Sequence, residues 1–228
     1  MLETNDDLTV VYYTANEISE RFALSTQFQL LRAVGYDADI VSVSKKPMNL
    51  GKNIVDTSPR SHLSIYRQAL TGAKEANTKY IALAEDDVLY SPEHFSHRPS
   101  PGKFAYNLGC WNVYTWEPSV FSWKGRRNLG QLICERDLFI EAMEERFAKY
   151  PDGDVDLGIW AEPGKYERQL GVTIRETEEF WTNPPNVAFS HEQALSFGNL
   201  GKRKRLGELR AVELPYWGRI EKVMEVYE

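Results

Sequence analysis

Residues 80–90 read YIALAEDDVLY: an apolar run of β type stops at three adjacent carboxylates, Glu85, Asp86 and Asp87, before apolar residues resume. Such a run is the signature of a buried strand. Three carboxylates at the end of a buried strand repel one another, and partial burial makes it costly to ionise them all unless a cation is present. Hard divalent cations such as Mg²⁺ or Mn²⁺ take oxygen ligands and commonly combine one or two protein carboxylates with the phosphates of a substrate. The alternative is a solvated acidic turn, but VLYSPEHF (88–95) follows the triplet instead of a solvent-like stretch. The pattern therefore predicts a metal site at the carboxyl end of a strand.

Working outward, the preceding residues alternate strand and helix patterns. LTVVYYTAN (8–16) is β-branched and aromatic, and the next segment places Leu24, Phe28 and Leu31 at helical spacing before Gly35. DADIVSVS (37–44) reads as a second strand, followed by the loop KKPMNLGKN with Pro47 and Gly51. A second helix follows, with Leu63, Tyr66, Leu70 and Ala73 on one face, and it leads into the acidic strand. This β-α-β-α-β order predicts a parallel sheet with right-handed crossovers, which binds ligands at the carboxyl ends of its strands.

Downstream, FAYNLGCWNVYTW (104–116) and SVFSWKG (119–125) predict antiparallel strands; most of their aromatic residues are expected in a sheet core, with stacking of one or two on a sugar ring or a base as the alternative. Asp137 is placed to cap a helix carrying Leu138, Ala142, Met143 and Phe147. Glycine and proline between 151 and 171 predict loops around a short helix. NVAFSH (186–191) reads as a strand, and YWGRIEKVMEVY (216–227) as a terminal amphipathic helix. The expected fold class is α/β, a mostly parallel central sheet flanked by helices with a smaller antiparallel region. It is expected as one domain over 1–228, with a nucleotide half over 1–100, an acceptor half over 101–190 and an extension over 191–228.

The chain has 228 residues, 42% of them hydrophobic and 12% aromatic, which excludes wholesale disorder. A formal net charge of −6 argues against a general nucleic-acid coat while leaving room for a local basic patch. Two cysteines, Cys110 and Cys134, are too few for a disulfide framework and form no CxxC pair, so cytoplasmic residence is the default expectation. The N-terminal MLETNDDLTV lacks the charge and apolar regions of a signal peptide, and no stretch approaches 18 uncharged apolar residues, so no membrane partner is expected.

The segment YRQALTGAKEANTKYIALAEDDVLYSPEHF (66–95) resembles the core of GT-A nucleotide-sugar glycosyltransferases, in which a helix feeds a strand ending in a DxD-type metal motif. Its Glu-Asp-Asp form, followed by a proline and an aromatic, is similar to N-acetylglucosaminyltransferases that act on branched N-glycans. YYTAN (12–16) and SVSKKPMNLGKNI (42–54) fit the nucleotide half of that fold, and the resemblance extends over about 8–150. It implies that Asp87 binds the metal, Mn²⁺ or Mg²⁺. Glu85 and Asp86 would contact the ribose or complete the metal's outer shell, and Thr14 and Asn16 would hold the base and ribose. Glu85 departs from the usual Asp, which leaves open whether one or two carboxylates reach the metal.

Such enzymes often complete the metal shell with a histidine late in the domain, and His191 has that position; a hydrogen-bonded strand-end histidine is the plainer reading. GNLGKRKR (198–205) offers Lys202, Arg203, Lys204 and Arg205 to a diphosphate, to a polyanionic acceptor including nucleic acid, or merely to solvent. Glu162, before the Pro163–Gly164 turn, is the candidate base that deprotonates an acceptor hydroxyl in an inverting reaction, with Asp156 next and a plain surface carboxylate as the alternative. The expected partner is a nucleotide-sugar donor. The acceptor is left open among a glycan, a small molecule, a protein and a hydroxylated DNA base. A nucleotidyltransferase and a non-catalytic carbohydrate- or nucleic-acid-binding module are the competing readings.

Overall fold

The structure, a computed structural model, describes residues 6–116, 118–153, 155, 159–194, 207 and 209–228. Its larger sheet has seven strands in the order β10-β6-β9-β4-β1-β2-β3. These are β1 (Leu8–Thr14), β2 (Asp39–Ser44), β3 (Lys52–Val55), β4 (Tyr80–Glu85), β6 (Lys103–Asn107), β9 (Leu132–Glu135) and β10 (Glu176–Phe180). β1 is parallel to both β2 and β4, β2 to β3, and β6 to β10; β9 alone runs antiparallel to its neighbours. The expected mixed α/β class with a large, mostly parallel sheet is what forms.

A five-stranded sheet in the order β12-β8-β7-β11-β5 takes β5 (Val88–Leu89), β7 (Cys110–Tyr114), β8 (Phe121–Trp123), β11 (Asn186–Ser190) and β12 (Leu209–Ala211). It is antiparallel except where β11 pairs parallel with β7. The run 104–116 therefore does not pair with itself. Leu108 and Gly109 carry the chain from β6 in the large sheet to β7 in the small one. A short hairpin, β13 (Glu213–Leu214) with β14 (Gly218–Arg219), precedes the last helix, α5 (Ile220–Tyr227).

Helices α1 (Glu20–Val34) and α2 (His62–Glu75) cover opposite faces of the large sheet. Alternate β1 residues explain this: Val11 and Tyr13 pack with α2, and Val10 and Tyr12 with α1. α2 opens on a capping box, Ser61 and Ser64 each accepting the other's backbone N–H at 3.0 Å. It lies so close to β1 that a Cβ on Gly72 would sit 2.4 Å from Val11 Cγ1. α3 (Arg136–Lys149) packs beside α2 on the same face, and α4 (Glu167–Leu170) is a single turn closed by Gly171 at φ 62°.

Three local expectations change. β3 begins inside the stretch 45–53 read as a loop and runs on to Val55; its four residues are too few, beside Pro47 and Gly51, to register as a strand pattern. The α1 face is rotated: Phe22, Thr26, Leu30 and Ala33 are buried, while Leu24 and Phe28 are 58% and 55% exposed. Phe22 is drawn inward by edge contacts with Phe189 (4.9 Å) and with Tyr227 of α5 (5.0 Å), which no local pattern reveals. Asp137 does not cap α3, since Glu135 occupies the cap position and Asp137 lies in the first turn. Arg146 of α3 is buried. Among the described residues, no helix is long and apolar enough to cross a membrane.

His94 is enclosed by Tyr90, Phe95 and Phe180, with Nδ1 3.2 Å from Asn107 Nδ2. Burial, and secondarily the charge of His97, push its pKa down to about 3. The unfolded chain therefore gains a proton near pH 6.5 that the folded chain does not gain until about pH 3. The contribution of neutral His94 is fully present above pH 6.5 and is lost by at most about 1.4 kcal/mol per pH unit as pH falls. Between pH 7 and pH 5, wild type should lose about 2 kcal/mol more stability than His94→Gln in urea unfolding. Parallel losses in the two proteins would show that the buried ring protonates in the folded state.

Candidate functional site

Strand order reverses between β1 and β4, because the chain leaves β1 toward β2 and β3 and returns on the other side with β4. In parallel sheets, ligands bind outside the carboxyl ends of the strands at such a point. A cleft of about 480 Å³ opens there, and Thr14, Glu85, Asp86, Asp87, Glu162 and His191 all line it. Residues from β1, β4 and two later segments thus share one space.

The acidic triplet is held residue by residue. Tyr13, in register with Glu85 on β1, donates its hydroxyl to Glu85 Oε1 at 2.8 Å. The Glu85 amide donates to Tyr90 Oη at 2.9 Å, and Tyr90 in turn donates to the Gly130 carbonyl at 2.8 Å. Thr14 donates its hydroxyl to Asp86 Oδ2 and accepts the Asn16 amide at 2.8 Å. Gln68 of α2 fixes the Thr14 carbonyl at 3.1 Å. Burial, then the charge of Asp87, raises Glu85 to about 8 and Asp86 to about 6, against the opposing hydrogen bonds from Tyr13 and Thr14. The repulsion expected from the sequence is thus present, and in the metal-free protein it favours the protonated form of Glu85.

His191 follows β11, and the antiparallel pairing of β11 with β5 brings it to the triplet. The Phe189 amide donates to the Asp87 carbonyl at 2.8 Å, which sets the approach. His191 Nε2 lies 3.4 Å from Asp87 Oδ2, and Nδ1 lies 3.1 Å from Gln193 Oε1. Burial works against the imidazolium, but the hydrogen bond and charge of Asp87, with Gln193 and Asp86, outweigh it and raise the His191 pKa.

Among the described residues, no three His, Cys, Asp or Glu side chains converge as a complete ligand set. A carboxylate beside an imidazole fits a hard or borderline divalent cation whose remaining ligands are phosphate oxygens and water. Asp87 and His191 are therefore the residues that could hold a metal, with Asp86 next in reach. Glu85 turns toward Tyr13 and Gly130.

The other candidates are distributed differently. Asn16 does not line the cleft. It adopts φ 54°, and its Oδ1 accepts the amides of Lys45 and Lys46 at 2.8 and 2.9 Å, so this oxygen braces the loop after β2. Glu162 lines the cleft with its carboxylate 3.3 Å from Lys165 Nζ. Asp156, Lys202, Arg203, Lys204 and Arg205 lie outside the described residues.

Two cations that line the cleft, Lys124 and Arg126, were not singled out from the sequence. Neither has a carboxylate at ion-pair distance among the described residues. Lys124 Nζ sits 5.2 Å from the centre of the Tyr114 ring, and burial and then Arg126 lower its pKa. The run KGRR (124–127) was the available signal, but it reads as the tail of an aromatic strand. Arg60 also reaches the cleft and donates to the Gln193 carbonyl, tying the start of α2 to the segment after His191.

Gly130 permits the placement of Glu85, since a Cβ there would sit 2.7 Å from Oε2 and 2.9 Å from Cδ. Gly130→Ala is expected to displace the Glu85 carboxyl, lower unfolding stability by about 1–3 kcal/mol through overpacking, and weaken ligand binding in the cleft. Calorimetric titration with Mn²⁺ and nucleotide would check this. Unchanged affinity with lowered stability would place Glu85 outside the binding surface.

No protein-family model matches the sequence. No curated protein matches it. Among solved structures, the chain is similar to a nucleotidyl transferase from Methanothermobacter thermautotroptrophicus, at TM-score 0.42 and 14% identity over 76% of this chain and 87% of that one. It is similar to the bifunctional IspDF from Campylobacter jejuni at TM-score 0.42 and 9% identity, over 78% of this chain and 50% of that one, so it spans half the length of that protein. It is also similar to a glycosyltransferase involved in the glycosylation of the major capsid of PBCV-1, at TM-score 0.43 and 10% identity over 79% of this chain and 91% of that one.

Proposed function

We propose that the protein is a metal-dependent glycosyltransferase that moves a sugar from a nucleotide-sugar donor to an acceptor hydroxyl. The observation that carries this reading is one cleft, at the point where strand order reverses, lined by both the Asp87–His191 pair and a separate carboxylate, Glu162. Asp87 and His191 would hold Mn²⁺ or Mg²⁺. When bound, the cation neutralises the charge that builds on a leaving nucleoside diphosphate. Lys124 and Arg126 add fixed positive charge on the same cleft. Glu162 accepts the proton of the acceptor hydroxyl as its oxygen bonds to the anomeric carbon and the bond from that carbon to the diphosphate breaks. Nucleotidyl transfer in the same cleft is less well supported, because residues 15–19, Ala-Asn-Glu-Ile-Ser, contain no glycine to cradle a triphosphate after β1.

A thermal-shift screen of nucleotide sugars with and without Mn²⁺ tests the reading, because a ligand that binds only the folded state raises the melting temperature by mass action. At least one nucleotide sugar should stabilise the protein with Mn²⁺ and not without it, and that donor should then be hydrolysed slowly in a metal-dependent way. The absence of any Mn²⁺-dependent stabilisation across the common uridine, guanosine, cytidine and thymidine donors would overturn it.

A further inference from the structure

The segment that carries Glu162 is fastened to the protein in an unusual manner. The four consecutive backbone carbonyls of 160–163 are engaged by side chains from three different parts of the fold. His62 Nε2 of α2 lies 3.1 Å from the Trp160 carbonyl. Arg146 of α3 donates to the Ala161 carbonyl at 2.5 Å through Nη1 and to the Glu162 carbonyl at 3.5 Å through Nη2. Tyr106 of β6 donates its buried hydroxyl to the Pro163 carbonyl at 2.7 Å. The Gly164 amide donates to Glu167 Oε1 at 2.9 Å, and the other oxygen of that carboxylate accepts the Arg175 amide at 2.6 Å.

Arg146 is the member that needs explaining. Its side chain is 1% exposed, and its carboxylate partner, Glu167, lies 3.9 Å away and is itself buried. Burying a guanidinium is expensive, and a well-packed apolar residue at the same place is often at least as stabilising. α3 could present such a residue here, because its buried face is otherwise Phe139, Ala142 and Met143. What the guanidinium does that an apolar side chain cannot do is grip two adjacent carbonyls with a planar fork. An ordinary surface loop leaves those carbonyls to water.

We propose that Arg146 is a positioning residue that fixes the backbone of Glu162 so that its carboxylate meets the acceptor hydroxyl. The inference rests on the reading of Glu162 as the base. With the backbone of 160–164 held from α2, α3 and β6, the freedom left to Glu162 is that of its side chain, which points into the cleft beside Lys165. A reacting group displaced by about 1 Å loses on the order of 10²-fold in rate, so a fork of this kind acts through turnover and not through donor binding.

The test is a double-mutant cycle between Arg146→Lys and Glu162→Gln, with turnover and donor affinity measured for each protein. Arg146→Lys keeps the charge and loses the fork. It should lower kcat by on the order of 10²-fold and leave donor affinity with Mn²⁺ unchanged. In the Glu162→Gln background the same change should lower kcat no further. Equal losses in both backgrounds, or a loss seen in donor affinity and not in kcat, would overturn the positioning role while leaving the base assignment standing. Full turnover in Glu162→Gln alone would overturn the base assignment and this inference with it. If Arg146→Lys does not fold, Tyr106→Phe keeps the ring in the core and releases the Pro163 carbonyl. It should show a smaller kcat loss that is likewise absent in the Glu162→Gln background, and an equal loss in both backgrounds would overturn the proposal.

Discussion

Asp87→Ala is expected to abolish Mn²⁺-dependent donor binding while leaving the fold intact. The contact that brings β11 to the acidic triplet at this point is a backbone one, from the Phe189 amide to the Asp87 carbonyl, and it does not depend on the side chain. What the substitution removes is a negatively charged neighbour of both Glu85 and Asp86, and the carboxylate beside His191. Relief of that repulsion should leave the metal-free protein no less stable than wild type. Losing one of the two proposed protein ligands should cost at least what loss of an outer-shell partner of a metal ligand costs, about 10- to 100-fold in metal affinity, so donor affinity with Mn²⁺ should fall by about 10²-fold or more. Asp86→Ala should weaken it less, because Asp86 is engaged with Thr14. Calorimetric titration of donor into each variant, with circular dichroism as the check on folding, decides the matter. A folded Asp87→Ala protein with wild-type donor affinity would remove the metal site from the reading altogether.

Glu162→Gln should separate chemistry from binding. The amide preserves the size of the side chain and an oxygen that can still accept from Lys165, so the cleft keeps its shape. Glutamine cannot take up a proton at neutral pH, and the contribution of a positioned general base is on the order of 10²- to 10⁴-fold. The barrier should therefore rise by about 2.7–5.5 kcal/mol, with donor and metal affinity close to wild type. A loss of this kind appears in kcat and not in the ground-state complex. Product stereochemistry provides the second check. An inverted anomeric centre agrees with a base that activates the acceptor. A retained one, or wild-type turnover in the variant, would mean that the proton leaves by another route and that Glu162 serves the cleft only by its charge.

The parts of the site that were legible in advance are those written in adjacent residues. The acidic triplet declared itself because an apolar β run that ends in three carboxylates is anomalous wherever it occurs. Thr14 and Glu162 were legible as a strand end and as a carboxylate beside a Pro-Gly turn. Lys124 and Arg126 were not, because a short basic run after an aromatic strand is indistinguishable from ordinary surface until the strand is seen to end at the cleft. Arg146 gave no signal at all. An arginine on a helix reads as solvent-facing, and its burial follows from the loop carbonyls that α3 meets in three dimensions.

By itself, then, the sequence determined the alternation of strands and helices from β1 to β4, and with it a parallel sheet whose carboxyl edge carries charge. These depend on side-chain periodicity and on helix caps, which act over a few residues. Tertiary structure decided which of two equally periodic faces of α1 is buried, because 22/26/30/33 and 24/28/31 both repeat at helical spacing and only the positions of Phe189 and Tyr227 favour the first. It also decided that Leu108 and Gly109 divide one aromatic run between two sheets, and that His191 meets Asp87 across the β5–β11 pairing. Contacts between distant segments depend on how whole elements pack, and a chain read residue by residue holds each partner without the geometry that joins them.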